Sequence, residues 1–398
     1  MTTFGEKARE LMSQRGISLR KLAAAANYDV GYLSKILNGH KPPSMPLVRQ
    51  LEAVLSAPGG LEEFVPSPAR CTSDDSPAVD DELAALELSR RAAASDIGAE
   101  TLDRLERAVD DLATAYPGTP PQELLGRIRK HLTYVVGLMD ARKTLSEQRR
   151  LLVVGGWLSL LGSTCHIDLH ELPSATARLR TAAQLAKQTE HHELAAWCLE
   201  TEAWQALTAG NYRRALTLSQ GAQAIAPRDG SAFIQAVAQE GRIWARLGAA
   251  SETREALNRV ARLVSPLSMP DRPEHHYRYD PAKSDAYVAT TLSWLGDPAA
   301  EPYARQVLAR LESATDGPPR PRRAVSARLD LALALISADQ ADEAGHLTLT
   351  AITSGLLVPS SYWRAREVIN AVAARRLPET AELREAYREL SDQSGPTA

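Results

Sequence analysis

The stretch ISLRKLAAAANYDVGYLSKILNGHKPPSMPLVRQLEAVL, residues Ile17–Leu55, decides the fold of the chain's first part. Ser18 is placed to cap a helix running Leu19 to Ala26, because its side chain can accept from the first free backbone N–H groups. Asn27-Tyr28 breaks that helix. Asp29 then caps a second, Val30 to Leu37, which Asn38-Gly39 stops. Leu33, Ile36 and Leu37 share one apolar stripe, so Val30, Gly31, Tyr32, Ser34 and Lys35 are left facing out. Lys41-Pro42-Pro43 reads as a stiff loop. Ser44 is expected to cap a further helix with inner face Leu47, Leu51, Val54 and Leu55, closed by Pro58-Gly59-Gly60 and a turn over Leu61–Phe64. Upstream, Phe4, Ala8, Leu11 and Met12 repeat at helical spacing to Gln14, and Arg15-Gly16 ends that helix.

Working outward, Pro66–Asp81 (PSPARCTSDDSPAVDD) offers almost nothing to bury and reads as a linker. Beyond it, helix-period patterns follow one another, punctuated by Gly and Pro, without strand-period alternation. One copy of a repeat stands out, AWCLETEAWQALTAGNYRRALTLSQGAQAIAP, with Gly210, Tyr212, Ala215, Ala222 and Pro227. Small residues there let antiparallel helices approach closely, and the aromatic fills the gap between pairs. Weaker copies carry Gly248, Ala256 and Leu263; Leu295, Gly296, Asp297 and Pro298; and Asp339 and Ala344. These offsets resemble the tetratricopeptide (TPR) pattern, whose period of about 34 residues would place five or six repeats in 190–390. An Ala/Leu-rich bundle without repeats is the competing arrangement. The expected fold class is all-α. The expected domains are a head at 1–65, a linker at 66–81, a helical region at 82–189 that includes degenerate repeats as an option, and a TPR-like α-solenoid at 190–390.

The totals agree with a helical chain. It has 398 residues, 44% hydrophobic and only 5% aromatic, with a net charge of −3. Charge therefore has to be read locally: Arg15, Arg20, Lys21, Lys35 and Lys41 face Asp29 alone between residues 15 and 41, and Arg49 follows. Cys71, Cys165 and Cys198 make no disulfide framework, so a reducing cytoplasm is the expected setting. The N-terminus lacks the pattern of a signal peptide. The most apolar run, Leu151–Gly162, is shorter than the roughly 20 residues that span a bilayer, and reads as a buried helix.

The head resembles the Xre/Cro (phage-repressor, lambda-repressor-like) helix-turn-helix family. The likeness is carried by Leu22-Ala23, Tyr32-Leu33-Ser34-Lys35-Ile36, Asn38-Gly39 and Lys41-Pro42-Pro43, and covers residues 4–65. It implies that the Val30–Leu37 helix enters the DNA major groove while the preceding one crosses the backbone. It places base readers at Val30, Gly31, Ser34 and Lys35, with Lys35 suited to a guanine edge, Val30 to a thymine methyl, and Gly31 to close approach. Ser18, Arg20, Lys21, Tyr32, Asn38 and Lys41 are candidates for phosphate contacts. Leu19 stands where the family often has Gln, which removes a polar backbone contact or passes it to Ser18 and Arg20.

No nucleotide-binding, hydrolase or zincin motif is present, so no catalytic residue and no cofactor is expected. Cys165, His166, Asp168 and His170 crowd together in CHIDLHE. Residues two apart on a helix do not share a face, so interhelix polar contacts are expected there rather than a metal site. The segment PEHHYRYDPAKSDAY (Pro273–Tyr287) is rich in aromatic and charged residues, and Tyr277, Arg278, Tyr279, Asp280 and Lys283 are candidate effector contacts on a concave repeat face. Ordinary packing, with Tyr as spacer, is the other explanation.

An Xre-type head on a TPR-like array resembles bacterial regulators in layout, among them peptide-pheromone receptors and actinomycete regulators. The resemblance implies a cytoplasmic, nucleoid-associated homodimer on double-stranded DNA, controlled by a peptide, small-molecule or protein effector, with no membrane role. A TPR scaffold with a vestigial head is the alternative function, and a helical enzyme with an unrecognised site a third.

Overall fold

The structure, a computed structural model, describes residues 3–57, 59–65, 77–268, 275–313 and 320–393, with the backbone alone for 77–83 and 393. Pro58, Cys71, Pro273 and residues 66–76 of the expected linker lie outside these. All regular structure described is helical. The chain divides into two compact units, Met1–Ser89 and Arg90–Ala398.

In the first unit, α1 (Phe4–Gln14), α2 (Leu19–Ala25), α3 (Val30–Leu37) and α4 (Met45–Leu55) are followed by a 3-10 turn at Glu62–Phe64. Thr3 and Glu6 form a reciprocal capping box on α1. Ser18 and Asp29 cap α2 and α3 as expected, accepting from the backbone N–H groups of Lys21 at 3.4 Å and Tyr32 at 2.9 Å. Ser44 does not: its side chain makes no capping bond to α4. Pro46 at the second helical position brings a fixed φ that suits a helix start. The inner face of α4 is Leu47, Val48, Leu51 and Leu55, all buried, while Val54 is half-buried.

That face meets Phe4, Ala8, Leu22, Leu33 and Ile36 in one apolar core. Two features close it that the sequence pattern did not announce. Glu52 is buried and its Oε1 accepts from the N–H groups of Leu61 at 2.7 Å and Glu62 at 3.0 Å, so it terminates the turn that seals the core. Gly5 lies where α1 crosses α3, and a Cβ there would sit 1.9 Å from the Leu37 carbonyl oxygen.

The second unit is a stack of antiparallel helix pairs. After α5 (Pro77–Ala92), which crosses the boundary, come α6 (Ala99–Ala115) and α7 (Pro121–Met139), then α8 (Leu145–Asp168) and α9 (Leu172–Gln188). The next pairs are α10 (His192–Thr208) with α11 (Tyr212–Ile225), and α12 (Ser231–Arg246) with α13 (Ala250–Val264). The last are α14 (Pro281–Leu295) with α15 (Ala300–Glu312), α16 (Pro321–Ser337) with α17 (Ala341–Thr353), and α18 (Tyr362–Ala374) with α19 (Thr380–Gln393). The even-numbered helices from α6 to α18 touch one another in order and form one layer, and the odd-numbered helices back them. This is a TPR-like α-solenoid.

The small residues of the repeat pattern do what close packing requires: Ala215, Ala222 and Ala344 have no exposed surface, and Ala256 is buried. The turn inside each pair from α8 to α19 contains one residue in left-handed conformation, namely His170, Gly210, Gly248, Gly296, Asp339 and Arg376. Glycine adopts that conformation without strain and marks three of these turns in the sequence, while the Asp339 turn lies in the fourth repeat copy read there. The other three use side-chain-bearing residues. Successive turn residues lie between 37 residues apart (Asp339 to Arg376) and 48 (Gly248 to Gly296), not at a regular 34. The apolar run Leu151–Gly162 sits inside α8, a helix of 24 residues that by length and composition passes as a membrane span, but 83% of its most apolar window is buried in the stack.

Candidate nucleic-acid interface and effector cavity

α3 is pinned to the core by Leu33, Ile36 and Leu37, each at most 4% exposed. With that stripe fixed, helical periodicity decides what points away. Val30, Gly31 and Lys35 are exposed, and Ser34 is half-exposed. The four base-reading candidates thus lie on the outer side of one short helix. Ser34 Oγ accepts from Asn38 Nδ2 at 3.4 Å, and the Asn38 side-chain oxygen accepts from Arg9 of α1. Arg9 was not singled out from sequence, since its contact lies 29 residues away.

Among the phosphate-contact candidates, Ser18 is occupied as the α2 cap, while its neighbours Arg20 and Lys21 are exposed. Tyr32 stacks on Tyr28 with ring centroids 5.9 Å apart, and the Lys41 Nζ lies 4.7 Å from the centroid of the Tyr32 ring. This ladder holds the cation beside α3. Arg20, Lys21, Lys35 and Lys41 have no acidic partner among the described residues. Arg15 and Arg49 differ: Arg15 donates to the Ser56 carbonyl at 3.3 Å, and Arg49 faces Glu62 at 3.6 Å.

In the second unit the even-numbered helices surround a cavity of about 320 Å³. Its wall draws on α8 (Thr164, Asp168), α10 (Trp197, Glu200, Trp204), α12 (Gln235, Arg242), α14 (Lys283, Tyr287, Thr290), α16 (Arg322, Asp330) and Arg364 of α18. The solenoid curls enough for its two ends to meet beside it. Asp168, at the end of α8, accepts from the Ser360 hydroxyl at 2.9 Å, from the Tyr116 hydroxyl at 2.7 Å and from Arg322 at 3.4 Å. Arg322 also donates to the carbonyls of Tyr116 and Thr119. Burial pushes the Asp168 carboxyl up, and Arg322 opposes that.

CHIDLHE therefore spreads its polar atoms rather than converging them. Asp168 makes this junction, His166 Nδ1 meets Glu171 at 2.5 Å, and His170 Nε2 meets the Pro359 carbonyl at 2.8 Å. Cys165 is a buried thiol. No group of His, Cys, Asp and Glu among the described residues has the arrangement of a metal site.

Of the five effector-contact candidates, Lys283 reaches the wall. Its ammonium donates to the carbonyls of His275 and Arg278, both at 2.5 Å. Tyr277 is packed behind the wall against Trp157 and Trp197, with its hydroxyl 3.3 Å from that of Thr164. Tyr279 is buried near Tyr287, Asp280 caps α14, and Arg278 pairs with Asp110 on the surface at 3.1 Å. His276, packed on Tyr116 and Tyr277, is driven by burial to about 3 and stays neutral.

The polar groups that face the cavity most directly were not found from sequence, because each belongs to a different helix. Glu200 is buried and accepts from Gln235 at 2.7 Å, and burial raises its carboxyl to about 7. Asp330 accepts from Thr290 at 2.6 Å and pairs with Arg364. Arg242 stacks on Tyr287, its guanidinium carbon 3.5 Å from the ring centroid. Isolated polar residues inside helical patterns are the only signal these positions leave in the chain.

A protein family described as a helix-turn-helix domain matches residues 3–64. The first unit is accordingly a helix-turn-helix domain. No curated protein matches the chain. Among solved structures, the crystal structure of Bacillus thuringiensis PlcR in complex with the peptide PapR7 and DNA is similar, at 14% identity and a TM-score of 0.26, over 98% of this chain and 94% of that one.

Proposed function

We propose that the chain is a sequence-specific DNA-binding transcriptional regulator of the Xre/Cro type, acting as a homodimer in the bacterial cytoplasm at the nucleoid, with an effector received by its TPR-like unit. The observation that carries this reading is the outer side of α3. Val30, Gly31, Ser34 and Lys35 are presented together on a helix locked by three buried residues, with Arg20, Lys21 and Lys41 beside them and no ion pair to any of these cations among the described residues. That is what a recognition helix needs: short side chains that admit the groove floor, one long donor, and cations for phosphates on either side. A single head of this size buries little DNA surface, so two heads on half-sites one helical turn apart supply the specificity. The high Ala, Arg and Leu content fits an actinomycete source.

The effector is received on the even-helix layer. Lys283 contributes from the wall, Tyr277, Tyr279 and Asp280 are buried beside it, and Arg278 lies on the surface of the same segment. Binding shifts the population between two arrangements of the heads.

The test is selection of bound genomic fragments by the full-length protein, followed by gel shift, with light scattering for the dimer. Lys35→Ala is expected to weaken binding to the selected site by about 10-fold or more while leaving non-specific binding nearly unchanged. Selection of no fragment would sink the regulator and leave the scaffold function.

A further inference from the structure

We propose that the cavity of the TPR-like unit is a binding site for a small organic acid, whose carboxylate is held by Arg242 and whose flat apolar body lies among Trp197, Trp204 and Tyr287. This rests on the reading of that unit as the effector receiver, and names the chemistry of what it receives.

The case begins with charge. Arg242 is 9% exposed and lies on the cavity wall. No carboxylate among the described residues is within ion-pair distance of it. The neighbouring guanidiniums are balanced: Arg364 by Asp330, and Arg246 by a two-pronged contact with Glu367 at 2.6 and 2.8 Å. Arg242 is the cation without such a pair: the acid that feels its charge is Glu200 on the same wall, whose carboxyl burial raises to about 7, so that it carries only part of a charge near neutral pH. A buried guanidinium that is only partly balanced is costly, and a fully ionised carboxylate is the group that removes the cost with matching geometry.

Hydrogen bonding gives a second, independent argument. Stacking on Tyr287 satisfies the face of the guanidinium, not its in-plane N–H donors. Among those donors the contact made is a long one to Gln239 at 3.4 Å, and the buried Nε–H has no acceptor. Arg364, on the same wall and 6% exposed, also has a buried Nε–H without acceptor. Buried donors are rarely left unpaired, and two on one cavity wall mark where an acceptor belongs.

The rest of the wall sets the body of the ligand. A volume of about 320 Å³ is at the small end of ligand-sized cavities, which suits a compact acid rather than an extended chain. Two indole rings on α10 and a phenol ring on α14 favour a flat apolar partner. The Glu200 carboxyl, held by Gln235 at 2.7 Å, lines the same space and supplies a polar contact beyond the anion.

Calorimetric titration of the full-length protein with 2-naphthoate and 3-phenylpropionate, each against its amide, tests this. The acids are expected to bind about 10-fold more tightly than the amides. Arg242→Met should abolish that preference, and Arg242→Lys should keep part of it. Equal binding of acid and amide, no heat from either acid at millimolar concentration, or an acid preference that survives in Arg242→Met would each overturn the proposal. So would a short peptide that binds where neither acid does. The acid–amide comparison needs only the unmodified chain, so a variant that fails to fold does not rescue the idea. Acid binding lost with DNA selection intact overturns this inference alone, whereas DNA selection lost with acid binding intact overturns the regulator reading alone.

Discussion

The two units bury different things. In the helix-turn-helix unit the core is apolar, and Glu52 is the buried polar or charged side chain among the described residues. In the solenoid, α12 alone buries Gln235, Gln239, Glu240 and Arg242. The head keeps its polar chemistry outside, where a large, charged, hydrated polymer can reach it. The solenoid turns polar chemistry inward, where it can surround something small. Its Glu200–Gln235, Thr290–Asp330 and Asp168–Ser360 contacts join residues 35, 40 and 192 positions apart. Buried polar networks specify one arrangement strongly when every member is satisfied, and report sharply when one is not.

The contrast can be broken at four places. The largest effect is expected at Asp330→Leu, which leaves the Arg364 guanidinium buried without its carboxylate. The solenoid should lose about 3–5 kcal/mol in urea denaturation, with DNA binding by the head tested on the fraction still folded. A loss below 1 kcal/mol would mean the inner network is no more costly to break than a surface pair.

Next comes Glu200→Gln. Glu200 ionises near 4.5 in the unfolded chain and about 7 in the fold. Between those values the folded state holds a proton the unfolded state has lost. The stability this group contributes is therefore complete below about pH 4.5 and falls away as pH rises through 7. The variant should match the wild type at pH 4.5 and exceed it at pH 8, by up to about 3 kcal/mol. A stability difference independent of pH would show that burial does not hold the proton on Glu200.

In the head, Gly5→Ala should cost about 1–3 kcal/mol, because α1 and α3 have to separate to admit a methyl group. Its thermal transition should drop while that of the solenoid stays put. The smallest effect belongs to Lys21→Ala. Stability should not change, and the slope of log affinity on log salt should fall by about one, uniformly across DNA sequences. Sequence-dependent weakening would make Lys21 a base reader instead.

The helices of the head were legible nearly to the residue, for a physical reason. Caps, glycine stops and apolar stripes act within a few positions of one another. Ser18, Asp29, Asn38-Gly39 and the Leu33/Ile36/Leu37 stripe all settle α2 and α3 locally. What failed was a single cap: Ser44 makes no capping bond to α4. The repeats were legible where a turn uses Gly210, Gly248 or Gly296, and hidden where it uses His170 or Arg376.

By itself, then, the chain determined its helical class, the order of the helices in its head and which side of α3 faces out, since hydrophobic period and capping are properties of neighbouring residues. Only the tertiary structure decided that Gly5 lies under Leu37, that α8 meets Ser360, and that Glu200, Arg242, Tyr287 and Arg364 line one cavity. Those side chains come from four helices, and each looks in sequence like a single polar or aromatic residue on an ordinary amphipathic face. Their common environment exists only once the solenoid has curled, because it is the curvature of the stack, summed over many pair-to-pair contacts, that brings them together.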